Sequence, residues 1–209
     1  MITTTTTARG GRPAVRWRSV DLLTAAVLGV AFGVVFWGWD VLYNVLRPAF
    51  AAFAPAGGVV SGVWLLPAVV AALVVRRPGA ALLAELVAAT VETLLGSSFG
   101  PLVLVSGALQ GLGVEIAVAL FAWKRFGPWV AALGGVLAAV LECVAFEWWV
   151  YYPEWAMTWK VVYFALFAVS GAVIAGFGGW AIVRALARTG ALSRFAAGAE
   201  HRTRVRSGR

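Results

Sequence analysis

Six apolar stretches, each separated from the next by loop-forming or charged residues, constrain this chain more than anything else in it. They run Val20–Tyr43, Val59–Val75, Ala80–Leu95, Leu102–Phe121, Trp129–Val150 and Val161–Val183. About 20 mainly apolar residues are what an α-helix needs to cross the hydrocarbon of a bilayer, so the short second and third runs need their flanks. The breaks hold turn formers: Pro48 and Pro55-Ala56-Gly57-Gly58, Arg76-Arg77-Pro78-Gly79, Gly96 to Pro101, Lys124 to Pro128, and Tyr152-Pro153 onward. Pro67 falls inside the second run, which predicts a kink there, with neighbouring helices satisfying the freed carbonyl. Only 12% of the residues are charged and 62% are hydrophobic. A soluble domain carries about a quarter charged residues. That excludes a water-soluble enzyme and a disordered chain alike. The expected fold is all-α: a polytopic integral membrane protein with six transmembrane helices, embedded in the lipid bilayer.

The basic residues give the orientation. Arg9, Arg12, Arg16 and Arg18 precede the first run, Arg76 and Arg77 follow the second, and Lys124 and Arg125 follow the fourth. Arg184, Arg188, Arg194, Arg202, Arg204, Arg206 and Arg209 follow the sixth, leaving only Arg47 and Lys160 for the other side. Cationic loops stay cytoplasmic, so both termini are expected inside. The net charge of +8 is then a topology signal, with no nucleic acid as partner. Residues 1–19 and 185–209 are expected to be flexible cytoplasmic tails around a membrane domain over 20–184. The first run far exceeds a signal-peptide core, so it is read as a retained helix. One cysteine, Cys143, excludes an internal disulfide, and the lone His201 in a polar tail points to no built-in metal or cofactor.

Acidic residues within apolar runs are costly and signal function or interhelical bonding. Asp40, Glu85, Glu92, Glu115, Glu142 and Glu147 lie within the runs or at their ends, with almost no embedded cations to pair with them. Such carboxylates favour a cationic or hydrogen-bond-donating ligand, or a proton. Asp40, Glu92 and Glu147 fall in the outer third, Glu142 and Gln110 nearer the middle. Glu85 and Glu115 lie deeper; Glu85 is expected chiefly to brace helices, and Glu115 equally to brace helices or to meet the ligand. In a regular α-helix Glu142 and Glu147 stand about 140° apart. Seven of the eleven tryptophans fall in the outer half. Trp37, Trp64 and Trp148, with Phe146, are candidates for an aromatic, acidic pocket that takes a flat cation by ring contact and charge pairing. Ala25, Gly29 and Gly33 form a ladder of small residues that either packs within the bundle or docks a partner. The chain has no P-loop sequence.

Several segments are similar to the YkoE family. They are Gly62-Val63-Trp64-Leu65-Leu66-Pro67, Arg77-Pro78-Gly79-Ala80-Ala81 followed by Glu85, and Glu92 with Leu95-Gly96-Ser97. Gly107-Ala108-Leu109-Gln110-Gly111-Leu112-Gly113-Val114-Glu115, Ser170-Gly171-Ala172 and Ala185 to Gly190 fit as well. The resemblance covers about residues 18–195, and the Gln-Gly-x-Gly-x-Glu segment is its most specific part. It implies an S component, the substrate-binding subunit of an energy-coupling factor transporter. It further implies a six-helix fold and a ligand, thiamine or its hydroxymethylpyrimidine precursor, bound near the extracellular side. The implied partners are a transmembrane scaffold subunit, met through Ala25, Gly29 and Gly33, and two cytoplasmic ATPases.

The expected substrate contacts are Glu92, Gln110 and Glu147, then Trp37, Asp40, Trp64, Glu142, Phe146 and Trp148. The alternative is an autonomous proton-coupled carrier for cationic aromatic compounds. An integral-membrane enzyme is disfavoured, because the sequence shows no Ser/His dyad, paired-Asp motif or His cluster.

Overall fold

The computed structural model describes residues 16–207 of the chain. Arg9 and Arg12 of the basic N-terminal segment, the Thr3–Thr7 run and Arg209 lie outside them. Every regular element among the described residues is helical. In chain order these are α1 (Ser19–Leu46), α2 (Leu66–Val75), α3 (Ala80–Leu95), α4 (Val103–Leu120), α5 (Pro128–Glu142) and α6 (Trp148–Val150). There follow α7 (Met157–Ser170), α8 (Gly179–Arg188) and α9 (Ala196–Arg206). Five segments are long and apolar enough to cross a membrane: Ser19–Phe50, Ala54–Val75, Gly100–Leu120, Pro128–Val150 and Met157–Arg188. The run expected as a further span is α3, a 16-residue helix with Glu85 and Glu92 buried on it.

α1 shows how the sequence sorts its faces. Asp21, Ala25, Gly29, Gly33, Phe36, Asp40 and Tyr43 are its buried residues, spaced three or four apart and so on one face. Leu22, Leu23, Val27, Val30, Val34, Val41 and Val45 are exposed, an apolar surface suited to lipid. The Ala25, Gly29 and Gly33 ladder is covered by α3. A β-carbon on Gly29 would stand 2.6 Å from Val87 Cβ and 2.7 Å from the Ala84 carbonyl. One on Gly33 would stand 2.5 Å from Val91 Cβ. The expected docking face is therefore consumed inside the bundle, because small residues let α1 and α3 approach at backbone distance.

Pro67 does not kink a helix. Residues 54–65 wind as two short 3-10 segments, Ala54–Val59 and Ser61–Leu65, and the α-helix starts only at Leu66. Pro67 thus sits in the first turn, where its missing N–H costs nothing. The neighbouring Ala68 N–H donates to Glu85 Oε2 at 2.9 Å. At the start of α3, Ala81 N–H donates to Glu115 Oε1 at 2.8 Å. Both acids brace helices, each meeting a donor that a helix start leaves open.

Two stretches depart from α-geometry. Cys143–Glu147 and Gly171–Gly178 are π-helical and join α5 to α6 and α7 to α8. The C-terminal segment is structured as well. α8 runs on through Arg188, and α9 packs back on α2 and α8. Leu192, Phe195 and Ala197 are buried there, and Arg76 pairs with Glu200.

Candidate functional site

Three carboxylates line one cavity, which extends from Glu85, about one and a half turns into α3, toward the end of the bundle remote from Arg18, Arg76 and Arg77. Glu85 and Glu92 are seven residues apart on α3 and share a face; Glu147 comes from the π-turn after α5. The i→i+5 register of that turn reduces the angle that a continuous α-helix would put between Glu142 and Glu147. The carboxylates line a cavity of about 530 Å³. Its lining includes no Lys, Arg or His.

Each polar wall is held by a neighbour. With its amide nitrogen turned toward α3, Gln110 donates to Glu85 Oε1 at 3.1 Å and to the Trp64 carbonyl at 3.0 Å. Ser97 Oγ donates to Glu92 Oε1 at 3.2 Å. The Tyr163 hydroxyl donates to Glu147 Oε1 at 3.3 Å and lies 3.3 Å from Ser61 Oγ. The most specific sequence segment now has a physical account. Gln110 faces the cavity, Gly111 and Gly113 let α4 touch α3 and α5, and Glu115 caps α3.

The aromatic walls form a connected set. Trp64 meets Tyr43 and Phe99 edge-on, at centroid distances of 5.2 and 5.9 Å. Phe99 lies 5.6 Å from Tyr151, and Tyr152 lies 5.1 Å from Tyr163. All four tyrosines of the chain line this cavity. Burial, and then the neighbouring glutamates, push the Tyr151 and Tyr152 phenols up, so both remain O–H donors at neutral pH. The Tyr151 hydroxyl is buried with no hydrogen-bond partner among the described residues.

Of the nine expected substrate contacts, Glu92, Gln110, Glu147 and Trp64 line the cavity. Two stand behind it: Phe146 packs edge-on to Tyr151 at 5.3 Å, and Glu142 accepts from Ser106 Oγ. Its other oxygen, Oε2, has no partner among the described residues. Trp37 is on the outer surface, 41% exposed. Trp148 packs against Phe164, away from the cavity. Asp40 secures the α3–α4 turn instead, accepting from Ser98 N–H and Oγ, each at 2.7 Å. Sequence reasoning missed Tyr43, Phe99, Tyr151, Tyr152 and Tyr163. The available signal was that every tyrosine falls at the end of a run remote from most of the basic residues, where only tryptophans were weighed.

Asp40→Ala is expected to lower stability by about 1–2 kcal/mol, since the hydrogen bonds lost are to a charged group but Ser98 is exposed to water. It should show as a lower thermal midpoint without ligand. A direct contact would change affinity and leave that midpoint alone.

A multi-pass helical bundle holding one cation-free, carboxylate- and phenol-lined chamber is built as a small-molecule-binding membrane protein. Comparison with known proteins specifies which. Residues 20–141 match the family model described as "ABC-type cobalt transport system, permease component". The chain is 33% identical over 186 residues to YkoE of Bacillus subtilis (strain 168), whose provisional name is HMP/thiamine permease protein. That match spans 88% of this chain and 92% of the relative. The crystal structure of an S-component of an ECF transporter superposes with a TM-score of 0.86 at 32% identity, covering 92% of this chain and 97% of that one. The chain belongs to the YkoE family of S components. It is a substrate-binding transport subunit, not an enzyme.

Proposed function

We propose that this chain captures thiamine or its hydroxymethylpyrimidine precursor near the extracellular face and delivers it inward as part of an ATP-driven energy-coupling factor importer. The cavity is the observation that carries the reading. Its walls, carboxylates and an amide beside aromatic rings, suit a small, flat organic ligand. An aminopyrimidine offers N–H donors to the carboxylates and a flat face to the rings, and a thiazolium adds a charge that both can stabilise. The Tyr151 hydroxyl is available to the same ligand. Among the described residues, no group of three or more His, Cys, Asp or Glu is disposed to hold a metal ion.

The same reading gives the topology. α3 rises about 24 Å at 1.5 Å per residue, and with its flanks it makes a short sixth crossing of a locally thinned bilayer. Six crossings put both termini in the cytoplasm of a prokaryotic plasma membrane and keep Arg18, Arg76, Arg77 and Arg184 inside. The cavity is then at the outer end. Energy comes from a transmembrane scaffold subunit and two cytoplasmic ATPases.

The test is quenching of intrinsic tryptophan fluorescence in the purified chain, with Trp64 in the cavity wall as the natural reporter. Saturable quenching at sub-micromolar thiamine, competed by hydroxymethylpyrimidine, is expected. Silence toward both compounds overturns the vitamin reading. Uptake by the chain alone in vesicles under a pH gradient would assign it instead to the proton-coupled carriers.

A further inference from the structure

A second cavity, of about 580 Å³, lies at the opposite end of the molecule between α2, α8, the start of α5 and the docked α9. Its walls divide by chemistry. Leu73, Val183 and Trp180 are apolar, whereas Arg76, Arg184 and His201 present nitrogen donors.

The charges there are not equivalent. Arg76 is engaged within the chain: its Nη2 donates to Glu200 Oε2 at 2.9 Å, and its guanidinium lies 4.7 Å over the Phe126 ring. Glu200 is the only acid lining the cavity. Arg184 has no carboxylate partner among the described residues; its guanidinium lies 4.7 Å over the Trp180 ring. The cavity therefore keeps one uncompensated fixed positive charge, with His201 as a further donor. Arginine combines a planar donor fork with stacking on an aromatic face, which suits a phosphate oxygen pair. Basic pockets between helices at the cytoplasmic level of a membrane are suited to anionic headgroups.

We propose that this cavity binds the phosphodiester of an anionic lipid. Arg184 is the main contact and His201 the second, and an acyl chain passes the half-buried Trp180. The single negative charge of a phosphodiester matches the single unpaired arginine. α9 completes the site, since His201 and Ala197 belong to it and the Arg76–Glu200 pair pins it in place. The site is remote from the substrate cavity and does not rest on the substrate assignment.

Native mass spectrometry of the full chain, released from detergent with equal phosphatidylglycerol and phosphatidylcholine, tests the proposal. The unmodified chain and Arg188→Gln, which removes an exposed charge one turn away, are expected to retain one phosphatidylglycerol in preference to phosphatidylcholine. Arg184→Gln should lower that retention about tenfold, and Arg184→Lys should restore part of it. If Arg184→Gln is not monodisperse on gel filtration, His201→Ala carries the same test with a smaller loss. Equal retention of both lipids, or full retention by a well-folded Arg184→Gln, overturns the proposal. Displacement of the lipid by equimolar glycerol phosphate overturns the lipid assignment in favour of a soluble phosphate ester on the same donors.

Discussion

A chain carrying both Glu92→Gln and Glu147→Gln is expected to lose at least about a hundredfold in thiamine affinity while keeping its fold. Glutamine preserves the shape of each side chain and can still accept from Ser97 Oγ or Tyr163 O–H, the bonds that orient the two carboxylates now. What it removes is one acceptor oxygen and the capacity to carry negative charge. A hydrogen bond to a charged partner contributes about 1.5–3 kcal/mol, roughly tenfold or more in affinity for each residue. The two share one cavity, so the double variant should depart from the product of the singles, and a double-mutant cycle by titration calorimetry measures that coupling. Comparing ligands assigns the roles. If the carboxylates serve chiefly the thiazolium charge, hydroxymethylpyrimidine binding should change much less than thiamine binding. If they accept from the aminopyrimidine, both ligands should weaken together. Unchanged affinity for both ligands, in a double variant with an unaltered thermal midpoint, would remove Glu92 and Glu147 from the site.

Much of this molecule is legible in its sequence, and the failures share a cause. Apolar runs and embedded acids are linear features, and they led directly to a helical membrane bundle and to Glu92, Gln110, Glu147 and Trp64 around one chamber. Three-dimensional register was not legible. Helical phase could not foresee that Cys143–Glu147 would wind as a π-turn. Nor could charge and depth distinguish Asp40 from Glu92. Both are buried acids near helix ends remote from the basic loops, yet one holds Ser98 and the other faces the cavity. Tryptophan drew attention as the interfacial residue, but Trp37 faces outward while the tyrosines line the chamber. A small-residue ladder states that some helix comes close. It does not state whether that helix belongs to the chain or to a partner, and here it is α3.

Gly113→Ala, a change of one methyl group, is expected to destabilise the chain by about 3 kcal/mol, the upper range for overpacking. An added β-carbon would stand 2.4 Å from Ala138 Cα, 2.5 Å from Ala138 N and 2.7 Å from Leu137 C, all of them backbone atoms of α5. No side chain can rotate away to make room, so α4 and α5 must separate. For a chain of this length that cost corresponds to a fall of roughly 10 °C in thermal midpoint. Binding should fail with it, because the α4–α5 contact also sets the chamber. Ser106 and Gln110 lie about two turns and one turn before Gly113, and Ser106 donates across the same interface to Glu142. Moving α4 therefore breaks that bond and draws Gln110 away from Glu85. Gly38→Ala supplies the contrast. Nothing lies within 4 Å of its added methyl, so the chain should hold its stability or gain up to about 1 kcal/mol from the better helix former. A Gly113→Ala midpoint within about 2 °C of the parent would mean that α4 and α5 can part without cost, and that the segment Gln110 to Glu115 owes its glycines to something other than this crossing.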